Sequence, residues 1–305
     1  MVNVKNYLSL IKFSHTIFAM PFALIGFFVA VFYKFHQIRT LNKSISWVIV
    51  ADEIPWMVLG LVLICMITAR SAAMAFNRYL DRQFDAKNPR TAIREIPAGI
   101  LSANSALRFT ILNCILFILA TWFINPLCFA LSPVALFVIL FYSYTKRFTP
   151  LCHLVLGLGL SLAPIGAFLA VTGQFAFLPI LFSFTVLFWV SGFDIIFALQ
   201  DEVFDRSQKL YSIPVALGTT KALLVSRILH VLAALCVVTA GLLGHFGWLY
   251  WVGVGVFISM LIYQHSIVKP SDLSKVNIAF MTANGIASVV FAVFVIADLF
   301  FYLVN

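Results

Sequence analysis

Long apolar runs alternate with short polar segments along almost the whole chain of 305 residues. A helix needs about 20 mostly apolar residues to cross the hydrocarbon core of a membrane. Runs of this kind lie near 13–33, 55–80, 104–124, 126–145, 151–171, 175–200, 219–243, 246–265 and 277–302. Short connections between such runs favour antiparallel neighbours. The pattern predicts an all-α fold, a polytopic membrane bundle of about nine transmembrane helices.

The composition agrees with this prediction and excludes several classes of protein. Hydrophobic residues make up 63% of the chain and charged residues only 10%, whereas soluble domains carry roughly 25% charged residues. Soluble all-α isoprenoid synthases are therefore excluded. The formal net charge of +9 does not indicate a nucleic-acid partner, because the basic residues lie between apolar runs and form no basic face. Five cysteines stand singly, which supports neither a disulfide framework nor a zinc site.

The distribution of Lys and Arg predicts how the bundle is oriented, because these residues collect in cytoplasmic loops. With the N terminus inside, the inner segments hold Arg78, Arg82, Lys87, Arg90, Arg94, Arg108, Lys146, Arg147, Arg206, Lys209, Lys221, Arg227, Lys269 and Lys275. Only the first outer loop, with Lys34, Arg39 and Lys43, goes against the pattern. The first apolar run lacks a cleavage pattern and is interpreted as a retained span. We expect a multi-pass protein of the bacterial inner membrane whose polar segments face the cytoplasm.

Two polar segments carry the candidate chemistry. Asn77, Asp81 and Asp85 follow one another at intervals of four after the second apolar run, so a helix places them in one row. Asp201 and Asp205 repeat the aspartate spacing 120 positions later. An Ile-Pro pair follows each row, which suggests two related halves, about 1–147 and 148–268, before a last helix at 277–302. We expect a single domain, 1–305, in which segments 81–103 and 201–218 form a paired cytoplasmic cap.

Rows of carboxylates at a membrane surface need cations to offset their mutual repulsion. Mg²⁺ is the expected partner, because it commonly bridges a few carboxylates to phosphate oxygens. The basic residues expected to complete a diphosphate site are Lys87, Arg90, Arg94, Lys146, Arg147 and Lys209. The pattern thus predicts a site that binds a lipid diphosphate by its head, with the tail in the bundle.

The two acidic segments resemble the signature regions of the UbiA superfamily of intramembrane prenyltransferases. The resembling stretches are NRYLDRQFD with KNPRTAIREIPAG, DIIFALQDEVFD with SIPVALG, FYSYTKRFTP, HLVLGLGLSLAPIGAFLAV and KFSHTIFAMPFAL. The branch most similar is that of 4-hydroxybenzoate polyprenyltransferases, including relatives that serve menaquinone synthesis through a naphthoate. The resemblance implies nine helices around a central cavity and Mg²⁺-dependent transfer of a polyprenyl chain from its diphosphate to a ring carbon of an aromatic acid.

The resemblance also implies roles for particular residues. Asn77, Asp81 and Asp85 hold one Mg²⁺, and Asp201 with Asp205 holds the other. Lys146 of the YxxxK motif, which Tyr142 begins, and Arg94 neutralise the diphosphate, with Arg147, Lys87 and Lys209 nearby. Asp194 orients the phenol or takes up its proton. Arg78 stands where many members of the family have aspartate, which lowers the acidic charge of the first row.

The acceptor itself is expected to meet residues inside the spans. Arg70 lies two helical turns before Asn77 on the same face, and a charged residue within a span is a functional candidate. Its guanidinium either meets the carboxylate of the acceptor or one of the aspartates, or extends to the membrane surface. His15 in the first span is a second candidate for contact with the acceptor. Tyr142, Trp189, Phe193 and Phe197 are candidates for stabilising an allylic cation with their π faces.

Two other interpretations stay open at this point. A secondary transporter also combines internal repeats with membrane carboxylates, but its binding residues are expected near the membrane midplane. The aspartates instead fall at the cytoplasmic ends of the second and sixth spans, which favours an enzyme. Among enzymes, prenyltransferases that act on haem, chlorophyllide or ether-lipid acceptors keep the same metal motifs. The partners expected are a polyprenyl diphosphate, an aromatic acid and the bilayer, with no nucleic acid and no obligate protein partner.

Overall fold

The computed structural model of the protein describes residues 4–11, 18–39 and 54–304. Within these residues the chain is helical, with turns between the helices and no strand. The helices are α1 (Val4–Leu10), α2 (Met20–Arg39), α3 (Trp56–Lys87), α4 (Ala103–Ile124), α5 (Pro126–Thr145), α6 (Cys152–Thr172), α7 (Phe177–Ala198), α8 (Glu202–Ser207), α9 (Ile213–Leu243), α10 (Trp248–Ile267) and α11 (Asn284–Val304). A 3₁₀ turn (Leu199–Asp201) joins α7 to α8, and a π-helical turn (Ile278–Ala283) precedes α11.

The protein is an integral, multi-pass membrane protein, as the hydropathy pattern predicts. Eight helical segments in the described ranges are long and apolar enough to cross a membrane. α2 adds a ninth, whose apolar part, Met20–Phe35, is shorter. Two parts of the sequence interpretation lie outside the described residues: the beginning of the first span with His15, and the part of the first outer loop that contains Lys43.

The two acidic segments differ in local structure. α3 continues to Lys87, seven residues past the predicted end of its span, so the first row is helical throughout. In the second segment, the 3₁₀ turn interrupts the helix just before Asp205. Neither Pro214 nor Gly218 ends a helix. Pro214 instead lies in the first turn of α9, where its missing N–H costs no helical hydrogen bond, and Gly218 (φ 75°) forms a kink within α9.

The packing of the helices brings the ends of α3 and α7 to the same side of the bundle. α7 packs between α6 and α9, while α3 packs against α4 and α5. A cluster of aromatic rings fills the core below the polar end. The indole of Trp189 lies 5.4 Å from the ring of Phe22 and 5.8 Å from that of Phe257, measured between centroids. All three side chains are fully buried, so the acidic segments rest on a close-packed base.

α2 and α6 approach each other closely where a glycine faces a backbone carbonyl. A Cβ atom added to Gly26 would lie 2.1 Å from the carbonyl oxygen of Pro164. We therefore expect Gly26→Ala to force the two helices apart and to destabilise the protein by about 1–3 kcal/mol or more. The measurement is the thermal unfolding midpoint of the purified protein in detergent.

Gly166, in the same part of α6, provides the matched control. A Cβ at Gly166 meets nothing within 4 Å, so Gly166→Ala should leave the midpoint unchanged or raise it slightly, because alanine has the higher helix propensity. Equal midpoints for Gly26→Ala and the unmodified protein would contradict the close contact between α2 and α6.

Candidate active site

The first acidic row lies along the last three turns of α3, and each of its carboxylates contacts an arginine. The amide of Asn77 donates a hydrogen bond to Asp81 (3.0 Å). Asp81 also accepts one from the Nη2 of Arg147 (2.8 Å). Asp85 is buried and accepts a hydrogen bond from Arg94 Nη1 (2.6 Å). The side-chain oxygen atoms of the row thus follow one another along α3, with basic side chains beside them.

The second row follows α7. Asp201 forms an ion pair with Arg90, whose Nε lies 3.0 Å from Oδ1, and it accepts a further hydrogen bond from the amide of Asn88 (3.2 Å). Asp205 is 1% exposed and lies 2.7 Å from Lys146 Nζ. Both carboxylates therefore have a cation beside them, as in the first row.

The segment after α3 joins the two rows into one site. Asn88 and Arg90 follow the first row in sequence, yet both contact Asp201 of the second row. Lys87 Nζ lies at the edge of hydrogen-bond distance from Gln208 Oε1 (3.5 Å). The backbone carbonyl of Lys146 accepts a hydrogen bond from the amide of Tyr211 (2.7 Å). The two segments that the sequence predicts as a paired cap therefore contact each other directly.

Lys146, which follows the end of α5, remains a cation in this setting. Burial acts to lower the pKa of its ammonium group, but the carboxylates of Asp205 and Asp201 outweigh that effect, and the pKa is raised above its usual value. A lysine with a raised pKa is charged at neutral pH. Lys146 is therefore available to neutralise an anionic ligand.

A second group of polar residues lies deeper, between α3, α5 and α7. The phenol of Tyr142 interacts electrostatically with Asp81, Asp194, Arg70 and Arg78. The Nε of Arg70 is buried and has no hydrogen-bond partner, and Arg70 has no carboxylate partner among the described residues. This group has a cation, a phenol and a carboxylate close together beneath the first acidic row. It offers a small polar ligand one positive and one negative contact.

Comparison with known proteins identifies the family. The model of the UbiA prenyltransferase family matches residues 44–286, well over half of the chain. This chain belongs to the UbiA prenyltransferase family. The eight long apolar helices of the described residues and the two acidic rows agree with that membership, and the interpretation as a secondary transporter is thereby excluded.

Relatives and solved structures within the UbiA family agree with this assignment. A 4-hydroxybenzoate octaprenyltransferase of Nitrosospira multiformis is 30% identical over 236 residues, which are 77% of this chain and 79% of the relative. The apo structure of a UbiA homolog from Aeropyrum pernix K1 superposes with a TM-score of 0.75 at 25% identity, covering 95% of this chain and 98% of the homolog. A UbiA homolog from Archaeoglobus fulgidus, bound to DMAPP and Mg²⁺, shares the fold with a TM-score of 0.72 at 18% identity, covering 96% and 99%.

Most of the residues that the sequence predicts for the UbiA site lie at the polar end of the bundle, but not all of them contact the acidic rows. Arg94, Lys146 and Arg147 each pair with an aspartate. Lys209 is exposed and has no ion pair within the described ranges. Among the aromatic candidates, Phe197 lies beneath the Arg90 guanidinium, 5.4 Å from ring centroid to Cζ. Trp189 and Phe193 instead belong to the packed core.

Three residues of the site do not follow from the spacing of the acidic rows. Arg78 is buried, with its Nη1 4.0 Å from Asp85 Oδ2. Asn88 contacts the opposite row. His153, at the start of α6, lies 2.7 Å from Asp194. The sequence signal for His153 was a histidine near the end of a predicted span, because a polar group that is buried there needs a hydrogen-bond partner.

The residues of the two rows fit magnesium ions by their chemistry. Carboxylate and amide oxygens are the hard donors that Mg²⁺ prefers. The Oδ2 atom of Asp85 is buried without a hydrogen-bond partner, so this oxygen has a free lone pair. No group of three or more His, Cys, Asp or Glu side chains gathers in the described part of the chain, and each row has only two acidic side chains. A Mg²⁺ ion held by either row would therefore need further oxygen ligands, such as those of a phosphate group.

Proposed function

We propose that this protein transfers a polyprenyl group from its diphosphate to a ring carbon of an aromatic acid, in a reaction that depends on Mg²⁺. The acceptor proposed is 4-hydroxybenzoate or a dihydroxynaphthoate, and the product belongs to ubiquinone or menaquinone biosynthesis. The observation that carries this proposal is the contact of Arg90 and Asn88 with Asp201, which makes one cation-lined site from two acidic rows. The similarity to a relative named 4-hydroxybenzoate octaprenyltransferase supports the choice of substrates.

The proposed metal ligands are Asn77, Asp81 and Asp85 for one ion and Asp201 and Asp205 for the other. When bound, Mg²⁺ neutralises the negative charge that develops on the departing diphosphate. Lys146, Arg94, Arg147 and Arg90 pair with the same carboxylates and would supply positive charge to a diphosphate held there. Lys87 and Lys209 lie farther out on the cap and attract the anionic head.

The acceptor is proposed to bind between Arg70, Tyr142 and Asp194. The Arg70 guanidinium has unused donors, which suit a carboxylate bound through two parallel hydrogen bonds. Asp194 accepts a hydrogen bond from the acceptor's hydroxyl group and so increases the electron density of the ring. As the bond between the allylic carbon and the diphosphate oxygen breaks, the ring carbon forms the new bond. His15, in the segment outside the described residues, stays a predicted contact of the acceptor.

Identification of the product tests the proposal. Membranes containing the protein are supplied with Mg²⁺, a polyprenyl diphosphate and a panel of acceptors: 4-hydroxybenzoate, dihydroxynaphthoates, a haem, a chlorophyllide and a glycerol phosphate. Mass spectrometry should detect a prenylated aromatic acid that is absent from membranes lacking the protein. A prenylated haem, chlorophyllide or glycerol phosphate, with no prenylated acid, would contradict the proposed acceptor class.

The orientation in the membrane is part of the same proposal. The site is expected to face the cytoplasm, because Lys and Arg concentrate at its end of the bundle. Ile93 (81% exposed) and Val203 (85% exposed) lie one in each segment of the cap. A cysteine at either position, in a cysteine-free background, should react with a membrane-impermeant maleimide only after the inner membrane is opened.

The turn between α6 and α7 provides the matched control for this labelling. Gln174 is exposed at the opposite end of the bundle, so a cysteine there should react in intact spheroplasts. Labelling of the Ile93 or Val203 position in intact spheroplasts would reverse the proposed orientation.

A further inference from the structure

His153 and Asp194 form a partly buried pair beneath the second acidic row. His153 is the second residue of α6 and is 2% exposed, and its Nδ1 lies 2.7 Å from Asp194 Oδ2. The hydroxyl of Ser191 lies 2.6 Å from the carbonyl oxygen of Leu187 and 3.1 Å from that of His153, so its one proton is shared with the closer acceptor. The imidazole is therefore held to α7 through its ring, by the contact with Asp194.

The second ring nitrogen determines which nitrogen carries the proton. His153 Nε2 lies 3.4 Å from the amide nitrogen of Ile213, the first residue of α9. A backbone amide can only donate, so Nε2 accepts this hydrogen bond. The proton of the neutral ring then lies on Nδ1 and is donated to Asp194. One backbone amide thus sets the tautomer of the histidine that contacts the carboxylate.

Asp194 uses only one of its two oxygens in this pair. Oδ1 accepts no hydrogen bond from the described residues, whereas Oδ2 accepts one from His153. The side chain of Asp194 is 23% exposed and interacts electrostatically with Tyr142, which also interacts with Asp81 of the first acidic row and with Arg70. Asp194, with one oxygen free of hydrogen bonds from the described residues, therefore lies within electrostatic range of the residues to which the acceptor is assigned.

We propose that His153 is a positioning residue, which holds one oxygen of Asp194 so that the other is presented to the hydroxyl group of the acceptor. This inference rests on the proposed transfer to a phenolic acceptor. During attack, the electron pair of the breaking C–O bond leaves with the diphosphate, and a π pair of the ring forms the new C–C bond. The hydroxyl proton passes to Asp194 Oδ1. The proton returns from Asp194 to the phenolic oxygen when the ring carbon releases its own proton to water, so one proton is lost overall.

A double-mutant cycle on the membrane-embedded protein separates this role from general structural support. Kinetics are measured for His153→Leu, Asp194→Asn and the double variant, with the acceptor that the product assay identifies. His153→Leu should lower kcat by about 10- to 100-fold, the range for partners that orient a functional ligand. In the Asp194→Asn background the same change should cost less than about threefold, because residues that act as one unit are not additive. Losses that multiply in the double variant would overturn the proposal.

Conservative variants provide the matched control. Asparagine places an amide nitrogen at the same number of bonds from Cα as Nδ1, so His153→Asn keeps a donor for Asp194. Glutamine reaches farther and mimics Nε2. We expect kcat to recover in His153→Asn to a level above those of His153→Gln and His153→Leu, with an unchanged KM for the polyprenyl diphosphate. Equal loss in all three variants, with a lower thermal unfolding midpoint, would instead indicate a purely structural histidine.

A spectroscopic measurement tests the pair without turnover. In solid-state ¹⁵N NMR spectra of the protein in lipid, the His153 signals are assigned by their loss in His153→Asn. The expected tautomer carries a proton on Nδ1 and none on Nε2. Asp194→Leu should shift the equilibrium between the two tautomers of His153. A ring with an unprotonated Nδ1 and a protonated Nε2 would overturn the inference even if the product assay detects the prenylated acid. Conversely, the expected tautomer with no prenylated acid would refute the proposed acceptor and leave the pair intact.

Discussion

Turnover should fall by about 100- to 1,000-fold when Asp81 or Asp201 is replaced by alanine, because each change removes a proposed metal ligand worth several kcal/mol at the leaving group. The two residues belong to different rows, so similar losses are expected from either change alone. Chelation of Mg²⁺ with EDTA should abolish turnover of the unmodified protein, and added Mg²⁺ should restore it. The measurement is the initial rate of prenylated product formation in membranes.

Glu202 provides the matched control for these aspartates. It follows Asp201 directly, and its carboxylate contacts Arg206 (3.1 Å) and the hydroxyl of Thr219 (2.9 Å), away from both rows. Glu202→Ala should therefore keep the rate within about threefold, the scale of a surface ion pair. Near-normal rates for Asp81→Ala or Asp201→Ala in correctly inserted protein would refute the assignment of a metal to each row.

Arg70→Ala should raise the apparent KM for the aromatic acid about ten- to a hundredfold, and the KM for the polyprenyl diphosphate far less. Loss of a hydrogen bond to a charged group costs about 1.5–3 kcal/mol, which corresponds to that range. The structure supports this expectation in one respect: the buried Nε of Arg70 has no partner and the phenol of Tyr142 lies near it. Steady-state kinetics with each substrate varied in turn provide the measurement.

Two further variants sharpen the test of Arg70. Arg70→Lys should recover only part of the affinity, since an ammonium group cannot make two parallel contacts with a carboxylate. Arg82 lies on the same helix and donates to the Tyr79 carbonyl (2.6 Å), so Arg82→Ala should change neither KM by more than about twofold, the scale of an exposed contact. An equal rise in both KM values for Arg70→Ala would place Arg70 in support of the aspartate row.

The spans and the first acidic row could be predicted from the sequence because both depend on local periodicity. Apolar runs of membrane-spanning length are helices in the structure, and residues spaced by four share a face on any helix. The same reasoning was less accurate at Asp201 and Asp205, where a 3₁₀ turn interrupts the helix. The division into two related halves, which rested on the repeat of 120 positions, stays a prediction.

Contacts across the cap could not be predicted, because they depend on how two distant segments meet. Asn88 belongs to no predicted motif, and Arg90 is predicted only as one of six basic residues of the diphosphate site; the packed bundle brings both to Asp201. His153 has no metal-ligand spacing with another histidine, so no sequence motif points to it. Its role depends on the packing of α6, α7 and α9, which brings His153 to Asp194 and to the Ile213 amide. The spacing of residues along the chain does not predict that packing.

The ion pairs in the two rows impose a thermodynamic linkage between metal and diphosphate. Asp81, Asp85, Asp201 and Asp205 each contact a cation that is also proposed to bind phosphate. Mg²⁺ held by these carboxylates would take the place of the cations, which would then lack a counter-charge until a diphosphate is bound. Each ligand should therefore tighten the other by the same factor, roughly 5- to 150-fold for typical coupling energies. Titration of a polyprenyl diphosphate with and without Mg²⁺ measures that factor directly, and independent binding would show that the cations do not change partners.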